Sequence, residues 1–183
     1  FATARRIAVH PRVTGADVRR LYPGRVAIRL RERQADLRVL LADGRTALVD
    51  RENVVLSLLA RGAALPAELR ALPVVGATAA AAELSLPLLD PALGRGRAAL
   101  SALRELGFAE PERTVIGTSD PFELTLLLAD GTRLIAPPDR LASALRTYRS
   151  VARAYPQAFP PGATIDLTTL DATGGSRIVL RHR

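Results

Sequence analysis

The residues that could carry out chemistry in this chain are few, and their spacing does not bring them together. The stretch 117–120 (Gly-Thr-Ser-Asp) lacks the second glycine of the Gly-x-Ser-x-Gly nucleophile elbow, since proline stands at 121, and is more simply a turn before a strand. His10 and His182 have no partner nearby in the sequence. Glu110 and Glu112 flank a proline in a predicted loop. No nucleophile stands beside a base and no carboxylates are paired on one element, so we predict that the protein is not an enzyme.

Cofactor and metal sites are equally unsupported by the residue pattern. The chain has no cysteine and only 2 histidines, which excludes thiol catalysis and the usual zinc ligand sets. All 26 basic residues are arginine, so a phosphate-binding loop that needs lysine is excluded. Gly94-Arg95-Gly96 is too short for a dinucleotide fingerprint and follows a proline instead of a strand. We therefore predict no cofactor, no metal and no small-molecule substrate.

The formal net charge of +8 raises the question of an anionic partner. The arginines run from Arg5 to Arg183 with no run longer than a pair, and no aromatic residues alternate with them as stacking platforms. Arginine without lysine is typical of GC-rich genes, and a solvated basic surface explains the charge without a ligand. An arginine-rich nucleic-acid-binding module nevertheless stays an alternative.

Composition and length indicate a soluble globular region of one or two domains. The chain has 183 residues, of which 48% are hydrophobic and 24% charged. Its longest apolar stretches are the size of a strand or a short helix, well below the roughly 18 residues of a membrane span. Because the chain begins at Phe1 without methionine, we expect a fragment whose signal or membrane anchor lies upstream.

Hairpins dominate the predicted elements. Residues 13–33 predict two strands around the turn Tyr22-Pro23-Gly24, with Val26, Ile28 and Leu30 alternating with polar residues. The sequence Leu-Leu-Ala-Asp-Gly occurs twice, at 40–44 and 127–131, and Asp-Gly between apolar runs predicts hairpins at 37–49 and 122–136. The repeat is explained by common hairpin chemistry without a duplicated domain.

Three helices and a final hairpin complete the prediction of an α+β fold, a mixed or antiparallel sheet with packed helices. Apolar periodicity predicts helices over 51–61, 97–106 and 138–155, with residues 65–91 as a long connection. Alternation over 164–169 and 177–181, around Gly174-Gly175, predicts the hairpin. No later segment is present to cover the last strand, so we expect an unpaired edge there.

Four segments, in this order, resemble the FtsQ/DivIB family of bacterial cell-division proteins. Residues 18–33 (Val-Arg-Arg-Leu-Tyr-Pro-Gly-Arg-Val-Ala-Ile-Arg-Leu-Arg-Glu-Arg) are similar to the end of that family's POTRA domain. Residues 72–76 (Leu-Pro-Val-Val-Gly) resemble its Leu-Pro-x-x-Gly, and 124–155 and 165–167 (Ile-Asp-Leu) fit its later strands and long helix. The resemblance implies the C-terminal part of a POTRA domain at 1–34 and the family's β domain at 35–183.

The resemblance implies a non-catalytic divisome scaffold, extracytoplasmic at the division septum and held in the inner membrane by a single-pass anchor outside this sequence. Its partners would be FtsB/DivIC and FtsL, bound by strand addition at the C-terminal edge. The partner-binding residues so implied are Thr168, Thr169, Ser176, Arg177, Ile178, Val179 and Leu180. The alternative for this strand is an ordinary edge whose arginines prevent aggregation.

The resemblance also implies a recruitment surface at Val18, Arg20 and Glu32. The alternative is structural: Val18 packs, and Arg20 and Glu32 form a cross-strand ion pair. A third function class, a POTRA-type peptide chaperone of outer-membrane assembly, also binds by strand addition. It would require further POTRA repeats or serial barrel strands, and residues 36–183 show neither pattern.

Overall fold

The fold is α+β, as predicted, and is built on one large mixed sheet with a few helices. The computed structural model describes residues 7, 10, 12–79, 81–108, 114–118, 120–169 and 178–181. Strands β1 (Val13–Leu21) and β2 (Arg25–Glu32) form a separate antiparallel pair, here called the ribbon. The predicted hairpin at 13–33 is therefore confirmed.

The second sheet has nine strands in the order β11-β10-β9-β8-β7-β6-β3-β4-β5. Its pairs β3–β6, β6–β7 and β9–β10 are parallel, and the other five are antiparallel. The strands are β3 (Leu37–Leu40), β4 (Thr46–Val49), β5 (Val55–Leu59), β6 (Val74–Gly76), β7 (Val115–Gly117), β8 (Leu124–Leu127), β9 (Arg133–Ala136), β10 (Thr164–Asp166) and β11 (Val179–Arg181).

Beside the sheet, the described part of the chain contains the α-helices α1 (Ala67–Arg70), α2 (Pro91–Glu105) and α3 (Leu141–Ala154). Short 3-10 turns, Pro138–Arg140 and Pro156–Ala158, flank α3, so the predicted helix at 138–155 is confirmed. Helix α2 is the crossover between the parallel strands β6 and β7, and α3 that between β9 and β10. Parallel neighbours need such a crossover, which here covers the sheet with helix.

A single row of side chains crosses the whole sheet and forms the core beneath the helices. Strand register places one residue of each strand side by side, from β5 at one edge to β11 at the other. The row is Leu58, Ala47, Val39, Val75, Ile116, Leu126, Leu134, Ile165 and Leu180. Its seven central members are fully buried, and the two end members are partly buried against the same core.

The two predicted Asp-Gly hairpins are confirmed as β3–β4 and β8–β9. Gly44 and Gly131 have φ values of 86° and 84°, where an L side chain would be strained. In each turn the aspartate carboxylate accepts the backbone N–H two residues later, at 2.9 Å from Arg45 and from Thr132. The repeated sequence thus repeats one local turn chemistry.

The predicted helix over 51–61 is wrong, because this segment forms β5 at a sheet edge. The Asp50 carboxylate accepts the N–H groups of Glu52 and Val54, both at 2.9 Å, which closes a turn where a helix would begin. The long connection predicted over 65–91 is also wrong in part, since it contains α1, β6 and the start of α2. Helix α2 begins at Pro91 because Asp90 accepts the Ala92 N–H as its N-cap.

The Gly94-Arg95-Gly96 stretch serves packing between α2 and the sheet. A Cβ atom added at Gly96 would lie 2.5 Å from Val75 Cγ1, far inside van der Waals contact. A Cβ atom added at Gly94, two residues away in the same helix, would meet no atom within 4 Å. Glycine at 96 therefore sets how closely α2 approaches the central strand β6.

We predict opposite effects for alanine at these two glycines. Gly96→Ala should lower the free energy of unfolding by about 1–3 kcal/mol through overpacking against Val75. Gly94→Ala should raise it by about 0.5–1 kcal/mol, because alanine favours helix and has room. Urea unfolding followed by circular dichroism measures both, and equal effects would contradict the close approach of α2.

Candidate partner-binding surfaces

Strand β11 is an edge strand of the large sheet, and some of its backbone N–H and C=O groups point away from the sheet. It pairs antiparallel with β10, with Thr164 opposite Arg181 and Asp166 opposite Val179. On either side of β10, the Ala163 carbonyl accepts the Arg133 N–H of β9 at 2.8 Å, and the Leu167 N–H donates to the Ile135 carbonyl of β9 at 2.7 Å. Along a strand, the N–H and C=O groups of successive residues point alternately to the two sides. The N–H and C=O groups of Thr164 and Asp166 therefore point to β11, where they pair with those of Arg181 and Val179.

The intervening residues of β11 consequently point their N–H and C=O groups away from the sheet. These are Leu180 and, just before the strand, Ile178. Among the described residues, no strand lies beyond β11. The expected unpaired edge is therefore present in the described part of the chain, and it offers donors and acceptors for a further strand.

The side chains of the same residues hold β11 in place. Ile178 and Leu180 are half-buried and pack against the core, while Val179 lies on the opposite face of the sheet beside Asp166. The edge is thus anchored by side chains on the helix-covered face, and its outward groups are main-chain atoms. Among the β11 residues whose side chains the structure describes, Val179 is the one on the uncovered face.

The other residues implied for partner binding do not all lie on strands of the sheet. Thr168 and Thr169 follow β10, which ends at Asp166, so the predicted strand over 164–169 is too long. The strand ends because the Thr168 N–H and hydroxyl turn back to Asp166 Oδ1, at 2.9 and 2.6 Å. Thr168 is half-buried and Thr169 exposed, both next to the edge. Ser176 and Arg177 lie outside the described residues.

The opposite edge of the sheet is partly closed by residues 81–90, here called the strap. The Ser85 N–H donates to the Val55 carbonyl at 2.9 Å, and the Val55 N–H donates to the Leu86 carbonyl at 3.0 Å. The Leu88 N–H donates to the Asn53 carbonyl at 2.9 Å. The first part of β5 therefore has outer backbone groups satisfied within the chain, whereas the described residues provide no strand beyond β11.

Asp90 anchors the strap to the sheet and to α2. Its carboxylate accepts the N–H groups of Thr78 and Ala79, both at 2.7 Å, and of Ala92 at 2.8 Å. Burial alone would raise the pKa of Asp90, but these N–H groups and the Thr78 hydroxyl outweigh it and hold the pKa below its usual value. The ionised carboxylate is thus the form that the folded protein stabilises.

On the ribbon, the three residues implied for recruitment share one face. Cross-strand pairing places Val18 opposite Ile28, Arg20 opposite Val26 and Glu32 opposite Val13. Because side chains alternate along a strand, Val18, Arg20 and Glu32 all lie on one side of the ribbon. The structural alternative of an Arg20–Glu32 ion pair is wrong, since the register puts them about six residues, or roughly 20 Å, apart.

Sequence reasoning did not assign three apolar residues to this face, although their alternation was visible. Val26, Ile28 and Leu30 are 60%, 51% and 44% exposed and lie between Arg20 and Glu32. A cavity of about 470 Å³ opens at the lower end of the face, between Leu30, Glu32 and the residues that precede β1. The recruitment residues thus frame an exposed apolar surface.

Arginines fasten the ribbon to the large sheet. Arg33, directly after β2, donates to Asp50 and, at 2.9 Å, to Glu52. The hydrogen bonds that Arg33 donates to Asp50 and Glu52 raise its pKa. Arg97 of α2 forms a bidentate pair with Asp36 at 2.9 and 3.0 Å. These contacts fall at the boundary predicted between residues 34 and 35.

The groups considered for catalysis have structural partners where the structure describes them. His10 Nδ1 accepts the Arg12 N–H at 3.2 Å, and the Thr118 hydroxyl donates to the Gly76 carbonyl. Ser119, Glu110, Glu112 and His182 lie outside the described residues. Within the described ranges, no three histidine or acidic side chains come together as a metal site. In that same part of the chain, no helix has the length and hydrophobicity needed to cross a lipid bilayer.

No protein-family model matches the chain, and no curated protein matches it.

We predict that Asp90→Asn destabilises the protein in a pH-dependent way. At pH 7 the free energy of unfolding should fall by about 1–2 kcal/mol, because asparagine cannot replace the ionised acceptor. The depressed pKa means that the wild-type advantage is present above the unfolded-state pKa of about 3.9 and is lost as pH falls through the folded-state pKa.

Urea unfolding at pH 7 and pH 3 measures the difference between wild type and variant. The exposed Asp139→Asn serves as the control and should leave stability within about 0.5 kcal/mol. A gap for Asp90→Asn that is the same at both pH values would refute the role assigned to the carboxylate.

Proposed function

We propose that this chain is the extracytoplasmic part of an FtsQ/DivIB-like cell-division scaffold, which binds its FtsB/DivIC and FtsL-like partners by strand addition at β11. It would act without catalysis, at the septum, in a protein anchored in the inner membrane by a segment outside this sequence. The observation that carries the proposal is the β11 edge, where the backbone groups of Ile178 and Leu180 point outward.

The character of this edge favours strand addition over contact through side chains. An extended partner that pairs with β11 would satisfy the outward main-chain groups and extend the nine-stranded sheet by one strand. The side chains beneath these groups are held in the core, so the edge is ordered before the partner arrives. Such preorganisation lowers the entropic cost of binding.

The contrast between the two sheet edges supports β11 as the docking side. The strap makes two main-chain hydrogen bonds to Val55 at the start of β5 and one to Asn53 just before it, whereas β11 has no strand beyond it in the described residues. Natural sheets cover or interrupt exposed edges to avoid association. An edge left open at one end of the sheet, when the edge at the other end is strapped, is consistent with a role in binding.

The position of the ribbon supports the two-part organisation of the proposal. Residues 1–34 would be the end of a POTRA domain, and the ribbon would present Val18, Arg20 and Glu32 for recruitment. This face has the exposed apolar centre and charged ends typical of a protein-binding surface. The arginine contacts at Arg33 would hold it at a fixed angle to the β11 edge.

We predict that Leu180→Pro abolishes partner binding, whereas Leu180→Ala leaves it within about threefold. Both variants lose the same packing against the core, but only proline removes the outward N–H and places its ring there. Binding is measured by calorimetry with the segment that follows the coiled coil of the FtsB/DivIC protein from the same genome. Circular dichroism checks that both variants fold.

Val179→Pro is the contrasting variant, because the Val179 N–H points inward to β10. It should loosen β11 itself and lower stability by more than Leu180→Ala does. The wild-type affinity should also change little between low and moderate salt, since main-chain pairing carries little charge. Binding that weakens steeply with salt would favour the nucleic-acid alternative, and equal binding by Leu180→Pro and Leu180→Ala would remove β11 from the proposal.

We predict for the recruitment face that Arg20→Ser reduces septal localisation of the full-length protein, whereas Arg19→Ser does not. The two arginines are neighbours on β1 and point to opposite sides of the ribbon. Fluorescence microscopy of tagged full-length proteins in dividing cells gives the measurement. Equal septal signals for the two variants would show that the apolar ribbon face is not the recruiting surface.

A further inference from the structure

The C-terminal half of α3 forms one wall of an open groove that concentrates positive charge. Its lining residues come from α3 and from the end of α2, and the cavity measures about 530 Å³. They are Leu106, Arg146, Arg149, Ser150, Arg153 and Ala154. No acidic residue is among them, and the apolar members lie beside the three guanidinium groups.

These arginines have no ion-pair partner among the described residues, whereas five other described arginines form ion pairs, namely Arg19, Arg33, Arg45, Arg97 and Arg140. In the described part of the chain, no carboxylate oxygen lies within 4.0 Å of the guanidinium groups of Arg146, Arg149 or Arg153. By contrast, Arg33 and Arg97 form ion pairs at the junction of ribbon and sheet. The groove therefore has donors that the fold itself does not use.

The helix dipole explains only part of this arrangement. Arg153 lies in the last turn of α3, and Arg149 lies beside Gly107 at the end of α2, 3.5 Å from where a Cβ atom would be. Both are favourable places for a cation. Arg146 lies a full turn before the last turn, and spacings of three and four residues bring these like charges together, which is destabilising without a counterion.

We propose that this groove binds a phosphate group carried on an organic molecule, independently of strand addition at β11. Guanidinium groups present rigid pairs of donors that match phosphate oxygens, and three of them suit a dianion better than a single carboxylate. Ser150 contributes a hydroxyl donor. Leu106 and Ala154 provide an apolar floor on which the organic part of the ligand would lie.

The test compares two triple variants that remove the same charge from different places. The groove variant carries Arg146→Gln, Arg149→Gln and Arg153→Gln. The control variant carries the same change at three exposed arginines of β2, namely Arg25, Arg29 and Arg31. Circular dichroism and thermal unfolding establish that both proteins fold like the wild type.

Two probes distinguish the source of the phosphate. Inorganic phosphate is titrated at fixed ionic strength while amide shifts of Leu106 and Ser150 are followed by NMR. Vesicles of phosphatidylglycerol and of phosphatidylcholine are compared by cosedimentation. We expect saturable binding to one or both anionic probes that the groove variant weakens on the order of tenfold or more and the control variant retains.

Saturable shifts with inorganic phosphate would identify a soluble phosphate ligand, and binding confined to phosphatidylglycerol would identify a lipid headgroup. Three outcomes would overturn the proposal. The first is that the wild type binds neither probe, and the second is that both triple variants weaken binding equally. The third is that only a DNA duplex binds and that this binding depends on the groove arginines. The last would assign the groove to nucleic acid instead.

Discussion

The structure depends on one row of apolar side chains that crosses the nine-stranded sheet from Leu58 to Leu180. Each strand contributes one member, and α2 and α3 cover the row. A slip of one residue in any strand would move that strand's member to the opposite face, so the row fixes register throughout the sheet. Val75 is its contact with α2, and Gly96 is the residue that lets the helix come close enough to cover it.

The same row determines what the sheet offers at its ends. When Leu180 directs its side chain into the core, its N–H and C=O are forced to lie in the sheet plane and to point outward. The β5 end of the row differs, because the strap, anchored by Asp90, forms main-chain hydrogen bonds with part of that edge. The two ends of one row thus present unlike edges, because part of the β5 edge is bonded within the chain and no strand lies beyond β11 among the described residues.

Local chemistry could be predicted from the sequence, and long-range pairing could not. The turns at Gly44 and Gly131 depend on their own few residues, and both hairpins were predicted correctly. The spacing of Val55 and Leu58 fits a helical stripe, so β5 was predicted as a helix. In the strand, a register shift opposite Leu48 and Val49 brings both side chains to the core face, and no local pattern shows that shift. The strands β6 and β7 have three residues each and pair in parallel with distant partners, which leaves no local pattern.

The candidate functional surfaces also divide into features that local sequence predicts and features that depend on long-range pairing. Alternation along the ribbon already implied an apolar face, but the outward direction of the Leu180 backbone requires the parallel pairing of β9 with β10, which α3 makes possible. The net charge of +8 likewise does not locate a binding surface until the structure shows which arginines form ion pairs with carboxylates. Arg33 and Arg97 are used in holding the fold together, whereas the arginines of α3 are not. The even distribution of arginines along the sequence therefore did not reveal the concentration of positive charge in the groove. That groove forms only when α2 and α3 pack side by side and bring Leu106 next to Arg149.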